Sequence, residues 1–292
     1  MSPLRLRVRA GMAFLAVSVA LMLTLVQTAH AQPSTYLSSA SLITDSTEVK
    51  DSARDSARDA ATTTTVIVRA VSNDAKLLQD PVGGARIVIR HAETGDVLAE
   101  GVQKGNTGST RAIMKEPHVR GATIYEAQGA AKFTANIPLT EPTPVVVTAE
   151  GPLDYPSSMQ RASASLTLIP GKDMSGDGLI LKLHGFIVEM LTPSESTNPS
   201  GETLTVRSRI RLLCGCPTEP GGLWDASRYD IRAQLLGANG EVLTEAPMQF
   251  AGTTNMYEAD VSLPDAEVET VRVLVSDAER VNFGVVETTL HK

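Results

Sequence analysis

"GETLTVRSRIRLLC", Gly201 to Cys214, alternates almost without a break. Leu204, Val206, Ser208, Ile210, Leu212 and Cys214 fall on one face, and Arg207, Arg209 and Arg211 on the other. A period of two is that of a strand, whose successive side chains point to opposite sides. A helix, repeating every 3.6 residues, would scatter the arginines among the leucines. The stretch therefore predicts a strand with one buried and one solvated face, as in an open antiparallel sheet.

The same period continues downstream. Tyr229, Ile231, Ala233 and Leu235 alternate with Asp230, Arg232 and Gln234, and Asn239-Gly240 then gives a strong hairpin signal. Tyr257, Ala259, Val261 and Leu263 follow, then Val271, Val273 and Val275, then Val281, Phe283 and Val285. With the run from Leu179 to Leu191 this predicts seven strands over 179–292, the count of an immunoglobulin-like or fibronectin-like sandwich. Upstream, "VIVRAV" (66–71), "ARIVIRH" (85–91), "DVLAEG" (96–101), "AKFTANI" (131–137), "PVVVTA" (144–149) and "SASLTLI" (163–169) are short β-rich runs. Glu93 to Asp96 reads as a hairpin turn, with Gly95 free to take positive φ. No helical period of useful length appears. The fold class is all-β: two Ig-like antiparallel β-sandwiches in tandem, 66–170 and 179–292, joined by a linker at 171–178.

"DPVGGARIVIRHAETGDVLAEGVQKGNTGSTRAIM", Asp80 to Met114, resembles the carboxypeptidase regulatory-like and related Ig-like accessory domains of secreted proteins. The resemblance lies in turn glycines and alternating apolar positions. It implies a non-catalytic spacer or binding module and assigns no functional residue.

The amino terminus reads as an export signal. Arg5, Arg7 and Arg9 precede an apolar run from Ala10 to Val26, and Ala29-His30-Ala31 carries small residues where a signal peptidase reads them. Cleavage is expected between Ala31 and Gln32, which places the mature chain in the periplasm or outside the cell. Loss of the three arginines takes the formal charge from −7 to −10. That acidity disfavours nucleic acid, whose binding needs a dense basic surface. No later stretch is long and apolar enough to span a membrane. Gln32 to Thr65, with its "DSARDSARD" repeat, reads as a leader lacking an apolar stripe by which to dock.

Enzyme signatures are absent from the sequence: no HExxH, GxSxG or phosphate-cradling GxxxxGK occurs. Four features remain as candidates. Cys214 and Cys216 are the only cysteines, and in an exported chain a lone pair reads as a local disulfide or a buried inert pair. Two thiolates are also soft ligands for Cu(I), so a copper site is an alternative. Residues i and i+2 of a strand lie ~6.5–7 Å apart, and a kink at Gly215 would bring them within disulfide reach. Trp224 reads either as core or, if exposed, as a platform on which a cell-surface glycan stacks. Arg207, Arg209 and Arg211 read as a solvated row neutralised by Asp230, Glu258 and Asp260, or as a site for an acidic protein or glycan partner. "DMSGDG", 173–178, places Asp173, Ser175 and Asp177 at the first three ligand positions of a calcium loop. His184 falls where the bidentate Glu is wanted, so an interdomain turn is the alternative.

Overall fold

Alternating β-branched and apolar residues build fifteen strands among the described residues, 60–290, of the computed structural model. The expected signal peptide, its cleavage point and the leader up to Asp59 lie outside those residues. The described residues fall within one compact unit, and no helix among them is long and apolar enough to cross a membrane. The architecture is all-β.

The first sandwich contains β1 (Thr62–Ser72), β2 (Arg86–His91), β3 (Val97–Val102), β4 (Phe133–Leu139), β5 (Thr143–Gly151), β6 (Gln160–Leu168) and β7 (Met174–Leu183). Its sheets have the orders β4-β1-β7 and β3-β2-β5-β6. Each of the six upstream runs lies on a strand, and Gly95 takes φ 77° in the predicted hairpin turn. Two boundaries differ from expectation. The threonines at 62–65 belong to β1 rather than to the leader: Thr64 is fully buried, donating to the Ile169 carbonyl at 3.2 Å and accepting from Gly171 N at 3.0 Å. The expected linker and the start of the second domain instead form β7, which runs parallel to β1 from Val66↔Met174 to Ser72↔Leu183. Leu181 and Leu183 carry its buried face into the first core. The register shifts between Val66 and Val68, where Gly178 (φ 66°) passes so near the Ile67 carbonyl that a Cβ would clash with it.

The second sandwich contains β8 (Phe186–Thr192), β9 (Thr203–Leu212), β10 (Asp230–Leu236), β11 (Val242–Pro247), β12 (Gln249–Phe250), β13 (Met256–Ser262), β14 (Thr270–Asp277) and β15 (Asn282–Thr289). Its sheets have the orders β11-β10-β14-β15 and β12-β13-β9-β8. Asn239-Gly240 makes the β10–β11 hairpin, with Gly240 at φ 75°. On β9 the sequence reading of faces is realised: Leu204, Val206, Ser208, Ile210 and Leu212 are buried. On β15 the faces are reversed. Phe283 and Val285 are exposed while Asn282 is buried, because Gly284 faces β8. A Cβ on Gly284 would lie 2.8 Å from Val188 Cγ2 and 3.0 Å from Phe186 Cβ, so only glycine admits this close approach.

The two sandwiches interlock. Leu213, just past the end of β9, is buried in the first core, while Ala75 and Met114 of the first sandwich pack in the second. Trp224 Nε1 donates to the Asp74 carbonyl at 2.9 Å, and Arg280 pairs with Asp74 at 2.9 Å. Residues 103–132 lie over the β4-β1-β7 sheet, where Ile113, Tyr125, Ala130 and Ala131 form an apolar cluster with Val71 of β1 and Leu77. Beneath them Arg69 is buried, its guanidinium donating to the carbonyls of Gly176 (2.7 Å) and Asp177 (2.6 Å). Burial lowers its pKa, with Asp177 and Glu126 opposing.

Candidate functional site

Cys214 and Cys216 form a disulfide just after β9. Gly215 at φ 75° turns the chain so that their Cα atoms are 5.3 Å apart, nearer than a straight strand allows. Both residues are buried in the second core. With its sulfurs joined the pair takes the disulfide arrangement, and the copper alternative would require the reduced thiols. Among the described residues no group of three or more His, Cys, Asp and Glu converges as metal ligands do.

Trp224 is 5% exposed in the same core, so no ring face is free for a sugar to stack on, and the glycan-platform alternative is corrected. The two carboxylates of the calcium alternative serve different backbone segments, as they would in a turn. Asp173 Oδ1 accepts from Thr65 N at 2.7 Å, and Asp177 accepts from Ile124 N (2.9 Å) and Tyr125 N (2.8 Å). Ser175 is exposed beside them.

The arginine row is neutralised within the chain. Arg207 pairs with Glu258 at 3.1 Å, Arg209 with Glu189 at 3.7 Å and Arg211 with Glu189 at 2.9 Å. Of the expected partners only Glu258 takes part; Asp230 pairs with Arg232 and Asp260 accepts from Thr205. Glu189, on the adjacent strand β8, is the partner that reading β9 alone missed. Arg211 also donates to the Tyr155 hydroxyl at 2.8 Å, its guanidinium lying 5.0 Å from that ring's centre. Its role is thus at the junction between the sandwiches.

A feature the sequence reading did not find stands beside that junction. A groove of about 690 Å³ runs between the outer face of β14–β15 and the first sandwich. Phe186 forms its floor, set edge-on to Tyr229 with ring centroids 5.1 Å apart. Ser157, Ser158 and Gln160 form one wall, Leu274, Phe283 and Val285 the other, and His184 and Val281 close one end. Val281 is 54% exposed, Phe283 53% and Val285 46%, and Met159 next to the wall is 43% exposed. The lining is mostly apolar, with Asp230 and Arg232 paired at 3.0 Å on the rim. The hydrogen bond to Asp230 is the main cause raising the Arg232 pKa, so the rim guanidinium stays charged.

The groove is held by specific contacts. Val188 N donates to Ser158 Oγ at 3.2 Å, Gly185 N to Asn282 Oδ1 at 3.0 Å, and His184 Nδ1 lies 2.9 Å from the Val281 carbonyl. Val281 itself has φ 56°, a costly conformation for a β-branched residue. Strain of this kind gathers at ligand clamps and switch regions. Size, apolar lining, sparse polar groups and a position between two domains are the attributes of a ligand site.

The chain matches no family model and no curated protein. Among solved structures it is similar to a chain of the crystal structure of ICOS in complex with ICOS-L and an anti ICOS-L VNAR domain. The identity is 10%, covering 78% of this chain and 94% of that one, and the TM-score is 0.20. The reading of the groove rests on its own geometry.

Proposed function

We propose that this chain is an exported, non-catalytic binding module, and that its groove seats an apolar segment of a protein partner. The observation that carries the reading is the exposed pair Phe283 and Val285 on the edge strand β15, continued by exposed Val281 in the turn just before it. Isolated exposed apolar side chains are ordinary, whereas a contiguous row lining a concavity marks an interaction site. An edge strand also offers unpaired backbone groups to an extended segment. The resemblance of Asp80 to Met114 to carboxypeptidase regulatory-like domains supports an accessory role, and the acidic mature chain supports a partner other than nucleic acid.

The test is selection of a random peptide library on the mature protein. Apolar peptides should be enriched, and their affinity should fall at least about tenfold in the pair Phe283→Asp and Val285→Asp. The control Val97→Asp, at an exposed apolar position on β3, should leave it unchanged. Peptides that bind equally to both variants would refute the groove reading. Intact mass of the exported protein tests the export signal, and should correspond to a chain beginning at Gln32.

A further inference from the structure

Leu213 lies between two residues of the second core, Leu212 and Cys214, and is itself buried in the first. The reversal depends on the turn that the disulfide closes. Gly215 N donates to the Leu212 carbonyl at 2.7 Å, and Leu212 N donates to the Cys216 carbonyl at 3.2 Å. Across the junction, Gln79 Nε2 donates to the Cys214 carbonyl at 3.0 Å. A Cβ on Gly215 would lie 3.0 Å from Val82 Cγ1, so the turn sits directly on the first sandwich.

The turn leads into the groove by two short routes. Leu212 pairs with Phe186, the groove floor. Arg211 bonds Tyr155, which immediately precedes the short helix Pro156–Ser158 of the groove wall. Disulfide turn, junction and groove are therefore one contiguous structure.

We propose that the Cys214–Cys216 disulfide is a redox latch on this junction. Oxidised, it holds Leu213 in the first core and the groove in shape. Reduced, it leaves both sandwiches folded but frees the turn, and the groove loses its fixed wall. The fold survives because two buried thiols behave as small apolar groups and carry no charge into the core. A ring this small also constrains the unfolded chain little. The reductant is an external dithiol. Its thiolate attacks Cys216 Sγ, the S–S bond breaks, and Cys214 leaves as a thiolate that takes a proton from solvent. The dithiol's second sulfur, as a thiolate, then displaces Cys216, which is protonated in turn, and the dithiol ends as a disulfide. Two electrons have passed to the cysteine pair. Cys214 is fully buried and Cys216 only 3% exposed, so attack waits on local opening of the turn.

The consequence for the groove rests on the function proposed above; the loosening of the junction does not. The test is hydrogen exchange by mass spectrometry on the exported full chain, oxidised and in dithiothreitol, alongside Cys214→Ala/Cys216→Ala. Both reduced protein and variant should exchange at least about tenfold faster at 155–160, 186–190 and 211–217, with 145–149 of β5 unchanged. Equal exchange in both redox states would overturn the latch. Acceleration that includes 145–149 would also overturn it, making the disulfide a staple of the whole fold. A second measurement uses anilinonaphthalene sulfonate, with Phe283→Asp identifying the dye bound in the groove. Accelerated junction exchange with unchanged Phe283-dependent dye binding would keep the latch and sink its link to the groove.

Discussion

Truncating Leu213 to alanine should destabilise this protein out of proportion to its place in a turn. The side chain is fully buried, and its neighbours in the first core include Val82 and Ile187. Leu213→Ala removes three carbon groups, worth about 2.4 kcal/mol at ~0.8 kcal/mol each. A cavity term adds to this wherever the surroundings cannot collapse. Here the backbone on the turn side is fixed by the disulfide and by the Gln79–Cys214 hydrogen bond. On the other side stand the paired sheets of the first sandwich. We expect a loss of ~3–4 kcal/mol, in the middle of the range for buried leucines. Urea unfolding should be followed both by Trp224 fluorescence, which reports the second sandwich, and by far-UV circular dichroism, which reports both. In the parent chain the two transitions should coincide, because the cores interlock. In Leu213→Ala the midpoint should fall by more than about 1 M for a slope of ~2–3 kcal/mol/M. A loss under about 1 kcal/mol would mean that Leu213 does not join the two cores.

Trp224→Phe should cost about 1–2 kcal/mol by leaving the Asp74 carbonyl without its donor, and in the parent chain iodide should barely quench the indole. Strong quenching would contradict its burial. Asp225 accepts from Gly221 N (2.8 Å) and Ser227 N (3.0 Å), and these bonds, Gly221's first, lower its pKa from 3.8 to about 2. A depressed carboxylate stabilises the fold above its unfolded pKa, and that contribution is lost as pH falls from about 4 through about 2. Asp225→Asn should flatten the stability profile in that window, measured by unfolding at stepped pH; an unchanged slope would refute the assignment. Gly284→Ala places a Cβ 2.8 Å from Val188 Cγ2 and should cost ~1–3 kcal/mol by overpacking, read as a drop in Tm. A neutral result would show that β15 is free to move off β8.

What the sequence disclosed follows from what period two can encode. It marks strands wherever one face is apolar, as on β9, where serine at 208 continues the row and is buried, donating to the Glu189 carbonyl at 2.9 Å. It cannot say which face of a mixed strand turns inward. On β15 both faces carry valine, at 285 and 286, and the choice falls to Gly284, whose importance depends on Phe186 and Val188 about a hundred residues away. Nor does it reveal parallel pairing, so β7 looked like a linker followed by the start of the next domain. Isolated charges were equally opaque: the partner of Arg209 and Arg211 is Glu189, on a strand whose register cannot be read from β9. The groove depends on the first of these non-local facts, the packing of Gly284 on β8.

That dependence explains why an apolar row faces outward at all. A valine and a phenylalanine left on the surface of an edge strand invite association, and proteins commonly blunt such edges with charge or proline. Nothing on β15 before Glu287 does so. The alternative register would bury Phe283 and Val285 but would set them, instead of a glycine, against Phe186 and Val188, where there is no room even for a Cβ. Close packing of β15 on β8 therefore fixes the exposure of its odd-numbered residues. The helix Pro156–Ser158, brought up by Tyr155 and Arg211, supplies the facing wall that makes an exposed row into a groove. The same tight contact that stabilises the second core leaves the apolar row facing outward, and the wall at the junction makes that surface concave.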